Sequence, residues 1–362
     1  MGRQGKESLL RGLTTRLGER FSRHGGRAGA ADATDADATK DARLDDVQCT
    51  PAPPYGLHVW HDCPDATIDI CFIHGLTGDR DRTWTAHGQQ HPWPKTLLAP
   101  RLKFGARILT YGYDAYLVTR GMASQNQLTD HAQNLVNDLA MNRTSHGASN
   151  RPLVFVAHSL GGIVCKKAIL FSRQKHDEPE LESIFKSTKG IIFMGTPHCG
   201  AWMATWAKIP MAAFGIVKST NPHLLKALSC GEELLRSIQE DFGNLLHKMS
   251  SSETPIEVTC FYEELELPLA GKVVSRDSAT IPNYKAISIH ADHREMVRFS
   301  SAEDRGFVNI LGLLDKWQSE VGLGPSMRLV LSDIRQFLDV FAGCRDYVRL
   351  FPFCTRPFPK IG

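Results

Sequence analysis

Long apolar runs are absent from this 362-residue sequence. The longest, broadly residues 209–217, falls far short of the roughly 20 residues that a membrane-spanning helix needs. The N-terminus also lacks the unbroken apolar stretch of a secretory signal. A soluble, intracellular and cytoplasmic chain is therefore expected, in which the sequon Asn142-Arg143-Thr144 carries no meaning. Charge of one sign is missing too: 42 Lys and Arg against 39 Asp and Glu leave a formal +3. That is too near neutral to argue for nucleic acid as a partner. The nine cysteines include no C-x-x-C pair and no Cys/His cluster at zinc-finger spacing, which argues against a disulfide scaffold. His58, His61 and Cys63 form a short polar cluster beside an apolar run, a pattern that rarely holds a metal, so neither metal nor cofactor is expected. No G-x-x-x-x-G-K-[ST] loop occurs, and nucleotide hydrolysis has no support.

What is present is an ordinary globular composition, 42% hydrophobic and 22% charged, with enough apolar mass for a sizeable core. Residues 1–50 stand apart. Up to Arg27 seven Lys/Arg face two Glu, and Leu9, Leu13, Leu17 and Phe21 recur every fourth residue, as on one stripe of a helix. This stripe reads either as a peripheral membrane contact or as a solvated tail. Residues 28–50 turn acidic, with Asp32, Asp35, Asp37, Asp41, Asp45 and Asp46 and hardly a large apolar side chain, and read as a tether. The far end, 323–362, suggests a helical extension without an assignable role.

From residue 56 short β-branched runs alternate with helical stretches. The runs are 57–60, 68–73, 106–111, 153–157, 190–194, 256–261 and 286–289, and the helical stretches fall near 93–98, 126–141, 161–172, 223–248 and 301–321. Four runs are almost continuously apolar, as strands covered on both faces must be. The expected class is α/β, a doubly wound, mainly parallel sheet with a helical insertion, spanning residues 55–322.

The chemistry concentrates at Ala157-His158-Ser159-Leu160-Gly161-Gly162, where a strand runs directly into a helix with a serine at the junction. This is the nucleophile-elbow pattern with Ala157 in place of the first glycine. The sharp turn demands small residues two before and two after Ser159, and it sets the hydroxyl at the positive end of a helix. Acyl transfer needs an oxyanion hole as well. The elbow supplies the Leu160 amide, and His74-Gly75-Leu76 at the end of an earlier run supplies the Leu76 amide. A serine needs a base, and in this fold the order is Ser, acid, His. Of fifteen histidines only His290 and His293 follow a final strand, and His293, at the start of the loop, is the expected base. The acid is expected at the end of the run before it, at Glu263, with Glu264 and Asp277 as alternatives.

In order along the chain stand His74-Gly75-Leu76 with Thr83-Trp84, Tyr111-Gly112-Tyr113, Ala157 to Gly162, Phe193-Met194-Gly195-Thr196-Pro197-His198, Phe261-Tyr262-Glu263 and Asp292-His293-Arg294-Glu295-Met296. The set resembles the α/β-hydrolases of the serine-active-site-containing protein family, related to GPI inositol-deacylase-type lipases. Similar domains open fungal NACHT or ankyrin receptors. The resemblance implies an α/β-hydrolase fold and hydrolysis of a lipid or other hydrophobic ester, and places the relatives at mitochondrial or endoplasmic reticulum membranes. The same relatives raise the alternative of a hydrolase-fold interaction module without turnover. Between Pro197 and the run at 256, Trp202, Trp206, Ile209, Met211, Phe214 and Val217 could line a lid over an acyl chain or simply pack as core.

Overall fold

The computed structural model describes residues 55–76, 78–114, 123–199, 232–268 and 271–320. The N-terminal stripe and tether, the lid candidates from Trp202 to Val217 and the extension 323–362 lie outside the described residues. Seven strands form one sheet: β1 Gly56–His61, β2 Ile68–Ile73, β3 Ala106–Gly112, β4 Leu153–His158, β5 Thr188–Met194, β6 Glu257–Glu263 and β7 Lys285–Ile289. Their order across the sheet is β1-β3-β2-β4-β5-β6-β7. All neighbours run parallel except the edge pair β1 and β3. This is the α/β-hydrolase fold.

Each central strand splits its side chains between two cores, because successive residues of a strand point to opposite faces. Cys71 and Ile73 of β2, Phe155 and Ala157 of β4 and Phe193 of β5 enter one core, which they share with helices α1 Ala123–Ser145, α2 Leu160–Arg173 and α4 Glu232–Met249. Ile70, Phe72, Val154, Val156 and Met194 enter the other. There they meet Trp84 and Trp93, from the helical turns between β2 and β3, and helix α6 Arg305–Ser319. Two covered faces explain why these strands read as unbroken apolar runs. One exception is Asp69 on β2, fully buried, whose carboxylate takes Arg143 Nη1 of α1 at 2.5 Å and Arg151 Nη1 at 3.0 Å. A buried carboxylate survives only when paired in this way.

Helices α3, Pro179–Ser187, and α6 depart from the sequence expectation. Helix α3 was not foreseen; its proline start and Glu180 and Glu182 in the first turn are ordinary helix-opening signals. Helix α4 is described only from Glu232, so the part expected at 223–231 lies outside the described residues. Helix α6 begins at Arg305 and not at 301, because Asp304 caps it by accepting the Gly306 N–H at 2.7 Å.

The chain passes from β2 to β3 on one side and then returns to lay β4 on the other. The crevice beyond the carboxyl ends of β2 and β4 is therefore the topological switch point, where open α/β sheets place their ligands. Residues 74–76 and Ser159 both emerge there.

Candidate active site

Ser159 sits between β4 and α2 with φ 56° and ψ −124°, a left-handed conformation that costs a non-glycine residue on the order of 1–3 kcal/mol. The surroundings hold it there. Its N–H donates to Met194 O at 2.9 Å, and the Gly162 N–H donates back to Ser159 O at 3.1 Å. A Cβ on Gly161 would lie 2.3 Å from His74 O and 2.7 Å from Ile73 O, so only glycine lets α2 approach the end of β2 this closely. Ala157, the departure from the glycine pattern, is fully buried at the end of β4 and its methyl is absorbed by the core.

The three distant side chains singled out in the sequence meet at this end of the sheet. His293 Nε2 lies 2.9 Å from Ser159 Oγ, and His293 Nδ1 lies 2.5 Å from Glu263 Oε2. Glu263 Oε1 accepts the N–H groups of Val273 at 2.6 Å and Val274 at 3.2 Å. All three side chains are almost wholly buried. Glu263 ends β6 paired with Ile289, and the next residue turns to the opposite face. Glu264 is accordingly exposed and pairs with His290 Nδ1 at 2.8 Å, which removes both alternatives at once from the serine. Asp277 lies exposed in the short helix α5, Arg276–Ala279, where its backbone carbonyl takes the Cys199 thiol at 3.3 Å.

The loop after β2 touches the elbow directly: a Cβ on Gly75 would stand 2.8 Å from Ser159 Cβ. The Gly75 carbonyl accepts from His74 Nδ1 at 2.8 Å and from the Gly78 N–H at 3.2 Å. Because the peptide is planar and trans, the Leu76 N–H points away from that clasped carbonyl. Among the described residues neither the Leu76 nor the Leu160 N–H has a backbone acceptor. His74 Nε2 accepts the Tyr113 N–H at 3.2 Å, which assigns the proton to Nδ1, and the ring stacks on Tyr113 at 4.5 Å. Burial pushes His74 down to about 4, so it stays neutral and keeps this bonding pattern at ordinary pH.

Two further residues, quoted in the sequence motifs but given no role there, back the histidine. His158 packs its ring 4.9 Å from that of His293 and donates from Nε2 to His293 O at 2.9 Å. Burial, and then repulsion from His293, hold it well below the usual histidine range. Gly195, with φ 58°, also packs against the His293 ring: a Cβ there would stand 2.9 Å from both Cε1 and Nδ1. Gly195 was visible in the Gly195-Thr196-Pro197 motif. The backbone amides at 273 and 274 have no sequence signature. His58, His61 and Cys63 stay on or beside the edge strand β1. Among the described residues no three His, Cys, Asp or Glu side chains are grouped to hold a metal ion, and no helix there is long and apolar enough to cross a membrane.

Comparison with known proteins adds a match over part of the chain. Residues 122–265 match the family described as "Putative serine esterase (DUF676)". Protein SERAC1 of Mus musculus is 30% identical over 193 residues, 48% of this chain and 27% of that protein. Protein SERAC1 of Danio rerio is 30% identical over 201 residues, 49% of this chain and 28% of that protein. Among solved structures, a carboxylesterase study of Nitrososphaera gargenis gives 11% identity and a TM-score of 0.41 over 73% of this chain and 95% of that one. The chain spans little more than a quarter of the length of the curated relatives it matches. It is thus an α/β-hydrolase-fold chain with an esterase-like region over residues 122–265, similar to the SERAC1 proteins.

Proposed function

We propose that residues 55–322 form a serine hydrolase that cleaves a carboxylic ester through an acyl-enzyme. The observation that carries this is the continuous hydrogen-bond chain from Ser159 Oγ through both nitrogens of His293 to Glu263. As the Ser159 oxygen bonds to the ester carbon, its proton passes to His293 Nε2. Glu263 holds the other nitrogen protonated and stabilises the cation that forms. The negative oxygen of the tetrahedral intermediate is received by the Leu76 and Leu160 amides, each worth about 10² to 10³ in rate. His293 then gives its proton to the departing alcohol. Water repeats the sequence on the acyl-enzyme and releases the acid. The Ser159 hydroxyl already lies within proton-transfer reach of its base.

The substrate class we propose, an ester of a lipid or other hydrophobic acyl compound, rests on the motif resemblance, as does action at a mitochondrial or endoplasmic reticulum membrane. A panel of p-nitrophenyl esters of increasing acyl length, run with a fluorophosphonate probe, tests both chemistry and class. Turnover rising with acyl length, and probe capture abolished in Ser159→Ala, is the expected result. A well-folded protein that neither turns over nor captures the probe is an interaction module instead. A preference for the shortest acyl group overturns the lipid assignment while leaving the esterase.

A further inference from the structure

A second buried polar cluster lies behind the candidate active site, and its centre is a lysine. Lys166, on α2 two turns beyond the elbow, is 1% exposed. Its Nζ lies 2.6 Å from His198 Nδ1 and also bonds Gln239 Oε1 of α4. The Phe193 and Phe242 rings flank it at 5.3 and 5.5 Å. The titratable groups facing it are His198 from the turn after β5, Cys260 from β6, Cys165 of its own helix and Cys199. Among the described residues no carboxylate is among them. Burial brings the amine down to about 7.

The bonding is complete for neutral species. A neutral amine has two N–H bonds, and the cluster offers two acceptors, His198 Nδ1 and Gln239 Oε1. With Nδ1 accepting, His198 carries its proton on Nε2, 3.6 Å from Cys260 Sγ. Gln239 Nε2 donates in turn to Pro197 O at 2.9 Å. Among the described residues a third proton on Lys166 finds no third hydrogen-bond acceptor and meets only the faces of the Phe193 and Phe242 rings.

This cluster fixes a turn that packs against His293, the elbow helix and α5. Gly195 is the wall against the His293 ring. A Cβ on Gly162 of the elbow helix would meet Thr196 Oγ1 at 2.1 Å. The His198 N–H donates to Ser278 O at 2.6 Å, and Ser278 Oγ donates to Cys199 O at 2.6 Å. Ser278 lies in α5, the short helix that follows the loop whose amides at 273 and 274 hold Glu263.

We propose that Lys166 is a positioning residue: through its bonds to His198 and Gln239 it locks these two side chains so that the 195–198 turn holds His293 and the Glu263 loop in register with Ser159. The proposal rests on the serine-hydrolase reading for its kinetic consequence, but not for its structural one. A catalytic group displaced by 1 Å loses on the order of 10² in rate. Lys166→Met, which keeps the apolar stem and removes both donors, should lower kcat about 10- to 100-fold per probe-titrated site with KM changed less than threefold.

The His293 Nδ1 proton, identified in the far-downfield proton NMR spectrum by its loss in His293→Ala, should move or broaden in Lys166→Met. A merely structural lysine would lower the melting temperature and leave that resonance and kcat in place, and this result overturns the proposal. If Lys166→Met does not fold, Gln239→Leu, which breaks one arm, must show the same changes at about 3- to 10-fold; an unchanged kcat and resonance there overturns it equally. Wild-type protein without turnover or probe capture refutes the hydrolase reading instead. The resonance then decides the positioning role alone.

Discussion

Replacing Glu263 with glutamine exchanges one oxygen for an NH2 group, and the structure dictates which one. Oε1 receives two N–H groups, from Val273 at 2.6 Å and Val274 at 3.2 Å, whereas Oε2, among the described residues, receives His293 alone. Turning the new NH2 toward the two amides would leave buried donors facing each other, at about 1–3 kcal/mol for each. The carboxamide oxygen therefore stays at the Oε1 position and the NH2 faces His293 Nδ1. That nitrogen must now accept, so the imidazole proton moves to Nε2 and points at Ser159. A base protonated on the atom that should take the proton cannot work. The same tautomer error in a Ser-His-Asp protease lowers kcat about 10⁴-fold, equivalent to about 5.4 kcal/mol of barrier. Folding should lose only about 1–3 kcal/mol, since charge-assisted hydrogen bonds become neutral ones and none is left unmade. Steady-state hydrolysis of a p-nitrophenyl ester by Glu263→Gln, beside Glu264→Gln and Asp277→Asn and with urea unfolding of each, measures both numbers. The controls should stay within threefold of wild type. A Glu263→Gln enzyme retaining a tenth of kcat, or an Asp277→Asn enzyme falling as far as Glu263→Gln, would refute the assignment.

Gly195→Ala should lower kcat at least 10-fold in the same assay, because its Cβ would stand 2.9 Å from His293 Nδ1 and the φ of 58° costs an L-residue about 1–2 kcal/mol; wild-type kcat would show that the His293 ring has room to spare. Arg143→Met removes the 2.5 Å partner of the buried Asp69 carboxylate at the amino end of β2, far from the serine end of that strand. It should cost about 3 kcal/mol in urea unfolding and leave kcat within twofold, Arg151 still holding the carboxylate. A loss below 1 kcal/mol would mean that the pair is not a structural pin. With His74 held down to about 4, the unfolded chain binds a proton below about 6.5 that the folded chain refuses until about 4. Its contribution is complete above that upper pH and declines as the pH falls toward the lower, by about 3 kcal/mol in all, and the buried His158 and His198 act in the same direction. Urea unfolding at pH 7.5 and 4.5 should show a loss smaller by about 2 kcal/mol in His74→Gln, and equal losses would refute the neutral buried imidazole.

The amino-acid order by itself determined the pieces that depend on local backbone demands. Strands buried on both faces must be apolar throughout, so β2, β4, β5 and β6 were legible. A strand that turns at once into a helix around a serine must carry small residues at 157 and 161, so the elbow was legible as well. Ser159 emerged as a candidate because it follows β4 directly, Glu263 because it ends β6, and His293 because it lies in the loop after β7. Tertiary structure alone decided among neighbours. The parallel register of β6 against β7 turns Glu263 inward and Glu264 outward, a choice that period-two alternation cannot make without knowing which face is covered. The cradle at 273 and 274 is made of backbone N–H groups, which every residue but proline possesses and which no pattern marks. The lysine on α2 reads in sequence like any helix cation, and only the packing of α4 and the 195–198 turn against it buries it, with no carboxylate facing it among the described residues. Local sequence fixes what each segment can do with its own backbone. The fields and contacts around a side chain come from segments far away in the chain, and these exist only once the chain has folded.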